Sequence, residues 1–185
     1  MARKERQASK GKKIHPKFWV FCEGKTEKAY VEHLRTKYRL PVKVIPLVVG
    51  ANINEKLISS HLDQKEKHPK DQVFLLYDAD VKKVLHRLKL IKNAKLLVSN
   101  PCTEFWFLLH YKNQSARISG MECIRQLNNR NRTVYRKGFI DDKLKKHLNE
   151  NQRDACGRAV RTRLFENPST NLYVFVDLLD KARQT

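Results

Sequence analysis

Four acidic residues in this 185-residue chain share one local context: each lies just beyond a short apolar run. Glu23 follows Lys17-Phe-Trp-Val-Phe-Cys22, Asp78 and Asp80 follow Val73-Phe-Leu-Leu-Tyr77, and Glu104 comes shortly after Lys95-Leu-Leu-Val98. Carboxylates gathered in one place repel, which raises their pKa values unless a cation sits among them. A hard, oxygen-only donor set suits Mg²⁺ or Mn²⁺, ions that keep several waters and accept phosphate oxygens in their open positions. Residues i and i+2 of an extended chain point the same way, so Asp78-Ala-Asp80 aims two carboxylates at one point. The chemistry open to such a site is metal-assisted reaction at a phosphodiester.

Each acid also has a plainer use. An Asp-x-Asp after a strand can cap a helix or a turn. Glu27 and Glu104 both fall in the first turn of an expected helix, where a negative charge stabilises the dipole. Glu23 is different, because packing gives no reason for an acid directly after a buried strand and before Gly24. Other motifs fail on inspection. Gly24-Lys25-Thr26 looks like the end of a phosphate-binding loop, but Trp19 stands where that motif needs glycine. Cys22 belongs to an apolar strand, so a thiol pair with His110 is rejected. The run Phe105-Trp-Phe-Leu-Leu109 has the spacing of core, and His33, His61, His68, His86 and His147 show no ligand spacing and are expected at the surface.

The acids can meet only if the elements carrying them are arranged side by side. Strands are expected over 17–22, 42–49, 73–77 and 95–98, and helices over 26–39, 52–67 and 82–89 between them. Strand–helix alternation with apolar strands predicts an α/β fold, a parallel sheet of about four strands flanked by helices. Right-handed crossovers then bring the strand C-termini to one edge, where open α/β sheets hold ligands. Asn100 is expected to cap the next helix and Pro101 to fill its first turn. That helix runs over 103–111, followed by helices over 119–127, 141–148, 152–165 and 172–183, with polar loops at 128–132 and 166–170. The organisation is a basic arm over 1–16, an α/β core over 17–112 and a basic helical extension over 113–185 packed on it.

Charge names the partner. Thirty-nine Lys and Arg against 19 Asp and Glu give a net charge of +20. Phosphate backbones are the usual partner of so basic a domain. Between Lys112 and Arg163 there are 14 basic and five acidic residues, and Arg153, Arg158, Arg161 and Arg163 are read as a phosphate-tracking surface. Lys25, Arg136 and Lys137 join them as nucleic-acid contacts. No apolar run approaches the roughly 20 residues of a membrane span, and no secretory signal is visible. Four dispersed cysteines form no Cys-x-x-Cys pair, as expected for reduced thiols in a cytoplasm without structural zinc.

Phe21-Cys-Glu-Gly-Lys-Thr-Glu27 with Tyr30, Asp78-Ala-Asp80, Ser99-Asn-Pro-Cys-Thr-Glu-Phe-Trp-Phe-Leu-Leu-His110, Tyr135-x-Lys137-Gly138 and Asn167-Pro-Ser-Thr-Asn171 together resemble the RloB-like proteins. The chain departs from that pattern at Thr103, where an aromatic is usual, and at Ala79, where Arg is common. RloB-like proteins are similar to the Toprim superfamily and its OLD-type nucleases. The resemblance implies a Toprim-like fold in which Glu23, Asp78 and Asp80 hold Mg²⁺. It implies Glu27 and Glu104 as ligands of a second ion and Lys137 as a stabiliser of developing charge. Glu23 or Glu27 is the expected proton acceptor. Genes of this family accompany restriction and phage-defence loci, which implies a defence nuclease with a companion defence protein, and the pairing common among Toprim-like nucleases implies a homodimer. The expected activity is Mg²⁺-dependent cleavage of DNA or RNA, including a structured RNA such as tRNA. The alternative is a catalytically weak subunit that binds or senses nucleic acid. A primase-type nucleotidyl transferase finds no supporting motif.

Overall fold

The structure, a computed structural model, describes residues 15–184. The arm expected over 1–16 lies outside the described residues apart from His15 and Pro16. Strands and helices alternate as β1 (Lys17–Cys22), α1 (Lys25–Tyr38), β2 (Lys43–Val48), α2 (Glu55–Leu62), β3 (Gln72–Asp78), α3 (Lys82–Leu90) and β4 (Lys95–Asn100). Then come α4 (Thr103–Leu109), α5 (Gly120–Asn131), α6 (Asp142–Glu150), α7 (Gln152–Val160), β5 (Ser169–Thr170) and α8 (Tyr173–Arg183). The sheet order is β2-β1-β3-β4-β5. The first four strands are parallel, and β5 pairs antiparallel with β4.

The strands form because their sequences are near-continuous apolar runs, as buried parallel strands require. Their side chains alternate between two layers. Val20, Cys22, Phe74 and Leu76 pack with Tyr30 and Leu34 of α1, Trp106 and Phe107 of α4, and Phe175 of α8. Trp19, Phe21, Leu75 and Tyr77 face Ile58 of α2 and Leu88 of α3 on the opposite side. Each such large side chain contributes roughly 1.5–3 kcal/mol by leaving water. All seven residues of α4 are buried, so Phe105 to Leu109 are core as expected.

Several boundaries differ from the sequence reading, each for a local reason. The sheet has five strands rather than about four, because the polar segment before α8 supplies β5. Asn171 secures that edge with its side chain: its Oδ1 accepts from Val98 N (2.7 Å) and its Nδ2 donates to Leu96 O (2.9 Å). Asn100 ends β4 instead of capping α4, and its Nδ2 donates to Phe165 O (3.0 Å); Cys102 takes the cap position. The α2 helix starts only at Glu55, since the Asn54 side chain caps Leu57 N at 2.9 Å. α7 stops at Val160, where Thr162 Oγ1 turns back onto Ala159 O (2.7 Å). The polar 128–132 segment mostly continues α5 to Asn131.

The chain leaves β1 toward β2 on one side and later returns to β3 on the other. β1 and β3 are neighbours, so the reversal of strand order opens a crevice beyond their carboxyl ends. Among the described residues, no helix is long and apolar enough to cross a membrane.

Candidate active site

A cleft of about 260 Å³ opens at that reversal, lined by Glu23, Gly24, Lys25, Thr26, Glu27, Asp78, Glu104 and Lys137. Four of the five expected carboxylates are therefore brought together. Glu23 extends the ladder of β1: its N–H donates to Leu76 O (3.1 Å) and its Oε2 accepts from Asp78 N (3.0 Å). Asp78, the last residue of β3, has Oδ1 held by Thr103 N (2.9 Å) and Thr103 Oγ1 (3.2 Å). Glu104 is 2% exposed, and its Oε1 accepts from Tyr135 OH (2.9 Å) and Thr26 Oγ1 (3.5 Å). Glu27 folds back so that its Oε2 accepts from Gly24 N (2.9 Å). Its plainer role as a helix-terminal acid is thus real, and the carboxylate lines the cleft as well. In all four the second oxygen accepts no hydrogen bond from the described protein.

The electrostatics follow from this crowding. Burial, then the charges of Glu27, Glu104 and Glu23, push the Asp78 carboxyl from 3.8 up to about 8, against the opposing hydrogen bond from Thr103. Burial also raises Glu23, with Glu27 and Asp80 adding to it, while the Asp78 N–H and Lys137 act the other way. Asp80 is the exception to convergence. It sits in a bend after β3, is exposed and does not line the cleft. The i, i+2 alternation ends with the strand, so its charge reaches Glu23 but its side chain does not join the other four.

Lys137 comes from the far end of the sequence on the 132–140 loop. Gly138 N donates to Thr26 Oγ1 (3.1 Å), and Tyr135 spans to Glu104. Gly138 has φ +78°, and a Cβ there would lie 2.7 Å from Lys25 Cβ, so the close approach of loop to helix needs glycine. Thr26, Thr103 and Tyr135 are the site residues that sequence reasoning did not single out. Thr103 was visible only as a departure from the family pattern; its hydroxyl is a second donor to Asp78.

The expected phosphate contacts fall into two zones. Lys25 and Lys137 are exposed and line the carboxylate cleft, and Arg136 is exposed next to Lys137 in the chain. Arg153, Arg161 and Arg163 are exposed around two further grooves of about 320 and 330 Å³. Arg158 borders both grooves, but its guanidinium is committed to Leu109 O (2.6 Å) and to Asp154 (3.6 Å). It closes the C-terminus of α4, whose N-terminal turn carries Glu104, so the zones are separated by roughly 10 Å of helix. A larger groove of about 750 Å³ runs along β2, with Lys17, Lys28, Arg35, Lys43 and Lys65 around an apolar floor. Glu32 is its single carboxylate, so the smaller cleft is where reactive groups converge.

Cys22 is fully buried, and burial raises its thiol, in keeping with a packing role. Of the histidines expected at the surface, only His86 is exposed; His33, His61, His68 and His147 are half-buried, and His33 Nε2 lacks a hydrogen-bond partner among the described residues. Whether the cleft suits a cation can be judged from its donors. Among the described residues no group of three His, Cys, Asp or Glu stands ready as a metal cage. Open carboxylate oxygens around Asp78, which burial and crowding keep protonated at neutral pH unless a cation offsets the charge, nevertheless fit hydrated Mg²⁺, which needs only one or two protein carboxylates plus water and phosphate.

Fold and site define an α/β protein with an acidic crevice at the strand-order reversal of a mostly parallel sheet. The family model described as RloB-like protein matches residues 18–179, and the chain belongs to that family. No curated protein and no solved structure matches it.

Proposed function

We propose that this protein is a Mg²⁺-dependent endonuclease of DNA or RNA, a structured RNA such as tRNA included, working in bacterial phage defence beside a companion protein. The observation that carries this reading is the meeting of Glu23, Glu27, Asp78 and Glu104 in one cleft, each with an open oxygen, next to Lys137 on a chain of net charge +20. The motif likeness to Toprim domains and OLD-type nucleases assigns Glu23, Asp78 and Asp80 to a first ion and Glu27 and Glu104 to a second, so it shares four acids with the cleft and adds Asp80.

Glu23, Asp78 and Glu104 would hold Mg²⁺ or Mn²⁺, and Asp80, outside the cleft, would add negative charge near Glu23. A bound ion supplies polarisation of the phosphoryl group and a water of lowered pKa. Glu27, fixed through one oxygen, has the other free to take a proton. Lys137 offsets charge building on the phosphoryl oxygens. Lys25 and Arg136 place the backbone, and Arg153, Arg161 and Arg163 hold a more distant stretch, which makes binding fall steeply with salt.

The test is cleavage of plasmid, single-stranded DNA and total tRNA with and without Mn²⁺, beside the Glu23→Gln/Asp78→Asn double variant. Metal-dependent cutting lost in the variant supports the reading. No cutting by the wild type, or equal cutting by the variant, removes it. The lack of a ready cage and the exposure of Asp80 favour one rival, a sensing subunit with weak catalysis. That rival predicts metal-independent, salt-sensitive binding that survives Asp80→Asn.

A further inference from the structure

Phe139 stands out from the other aromatic residues. It is 61% exposed, whereas every other Phe, Tyr and Trp among the described residues is buried or half-buried. Phe165, one of the half-buried rings, is covered by the Lys89 ammonium at 3.8 Å. Phe139 has no such cover.

Its exposure is imposed by well-anchored backbone. The Phe139 N–H donates to Arg136 O (3.1 Å) and closes a turn over 136–139. Gly138 is tied to Thr26 Oγ1 and pressed against Lys25. Tyr135 on one side is bonded to Glu104, and Ile140 on the other is 7% exposed within the core. The flanks of the turn are thus fixed, while Arg136, Lys137 and Phe139 itself stand in solvent. Lys137 of the same turn lines the acidic cleft.

A flat apolar ring among cations, beside a site for phosphodiester chemistry, matches the requirements of an unpaired nucleotide. The cations meet the backbone, and the ring offers a face to a base. In a duplex the base faces are already stacked on one another, so a lone ring at the rim finds none free. We infer that Phe139 is a base-stacking residue that makes single-stranded or locally unpaired nucleic acid the substrate class of this cleft. The inference rests on the nucleic-acid reading above and narrows it. The exposure of Val134 (79%) in the same loop raises one competing use, contact with a second copy of the chain.

The experiment measures binding of the full chain to a fluorescent single strand and to a duplex of equal charge, at two salt concentrations. It uses wild type, Phe139→Ala, Phe139→Trp and Lys137→Ala, with sedimentation and thermal melting of each. Phe139→Ala is expected to weaken single-strand binding by roughly 5- to 150-fold, the range of one stacked base. Duplex binding, salt slope and melting stay unchanged. Lys137→Ala instead lowers the salt slope by about one. Phe139→Trp keeps single-strand affinity, and its indole fluorescence is quenched on binding. Single-strand affinity unchanged in Phe139→Ala, equal losses on both ligands, or loss of a dimer in that variant overturns the assignment while leaving the nucleic-acid reading in place. Failure of the wild type to bind either ligand overturns both, and the wild-type arm alone reveals which has failed.

Discussion

Asp78→Asn is expected to make the metal-free protein more stable at neutral pH, although it removes a residue from the centre of the site. The Asp78 carboxyl is pushed from 3.8 up to about 8 by burial and by three neighbouring carboxylates. A raised acid holds its proton more tightly in the folded chain than in the unfolded one. Stability is therefore greatest below 3.8, falls as pH rises toward 8, and is flat above that. At about 1.4 kcal/mol per tenfold change in proton concentration, the stretch from 3.8 to pH 7 amounts to roughly 4 kcal/mol, and solvent reaching this partly buried group brings it to about 2–3 kcal/mol. Asparagine keeps an oxygen for the Thr103 donors and removes the ionisation that favours the unfolded chain. Thermal unfolding with a chelator should place the variant about 5–10 °C above wild type at neutral pH and level with it near pH 4. Mg²⁺ should raise the wild-type midpoint and leave the variant unmoved. An Asp80→Asn control, changed at an exposed position, should melt like wild type. A variant that melts at or below wild type at neutral pH in chelator would refute the crowding argument.

Gly138→Ala puts a methyl 2.7 Å from Lys25 Cβ at φ +78°, so it should destabilise by about 1–3 kcal/mol in urea unfolding and loosen Lys137 from the cleft. Tyr135→Phe removes the 2.9 Å donor to buried Glu104 and should cost about 1.5–3 kcal/mol by the same measurement, with the fold intact by circular dichroism. His110 is buried with Nδ1 on Trp106 O, and burial first of all pushes it from 6.5 down to about 3. Its contribution is full above 6.5 and fades as pH falls toward 3. The stability difference between wild type and His110→Gln should thus shrink by roughly 2–3 kcal/mol between pH 7 and pH 4.5.

The fold was legible wherever local pattern and tertiary demand coincide. Each of the four long strands is largely apolar, so their existence and parallel pairing followed from sequence, as did the gathering of Glu23, Asp78 and Glu104 at one edge; their order across the sheet did not. β5 was not legible, because two polar residues become a strand only when Asn171 fastens them beside β4. Asp80 was misplaced by extending strand geometry two residues past the end of β3 at Asp78, into a bend. Thr26, Thr103 and Tyr135 stood in quoted motifs without an assigned role, because their roles depend on contacts across 25 to 112 residues of chain, which no spacing rule carries. Arg158 shows the reverse error, a surface-looking charge in a helix that turns out to hold a carbonyl of α4.

The bond from Asp78 N to Glu23 Oε2 has a bearing on how descendants of this fold would drift. Glu23 stitches β1 to β3, so a lineage that abandoned chemistry would still be held there to a side chain of that length with an oxygen acceptor, glutamate or glutamine. Asp80 and Lys137 make no hydrogen bond or ion pair among the described residues and have no such protection. Under relaxed selection those two positions would erode first, and they are the more sensitive gauge of whether a relative keeps the proposed activity.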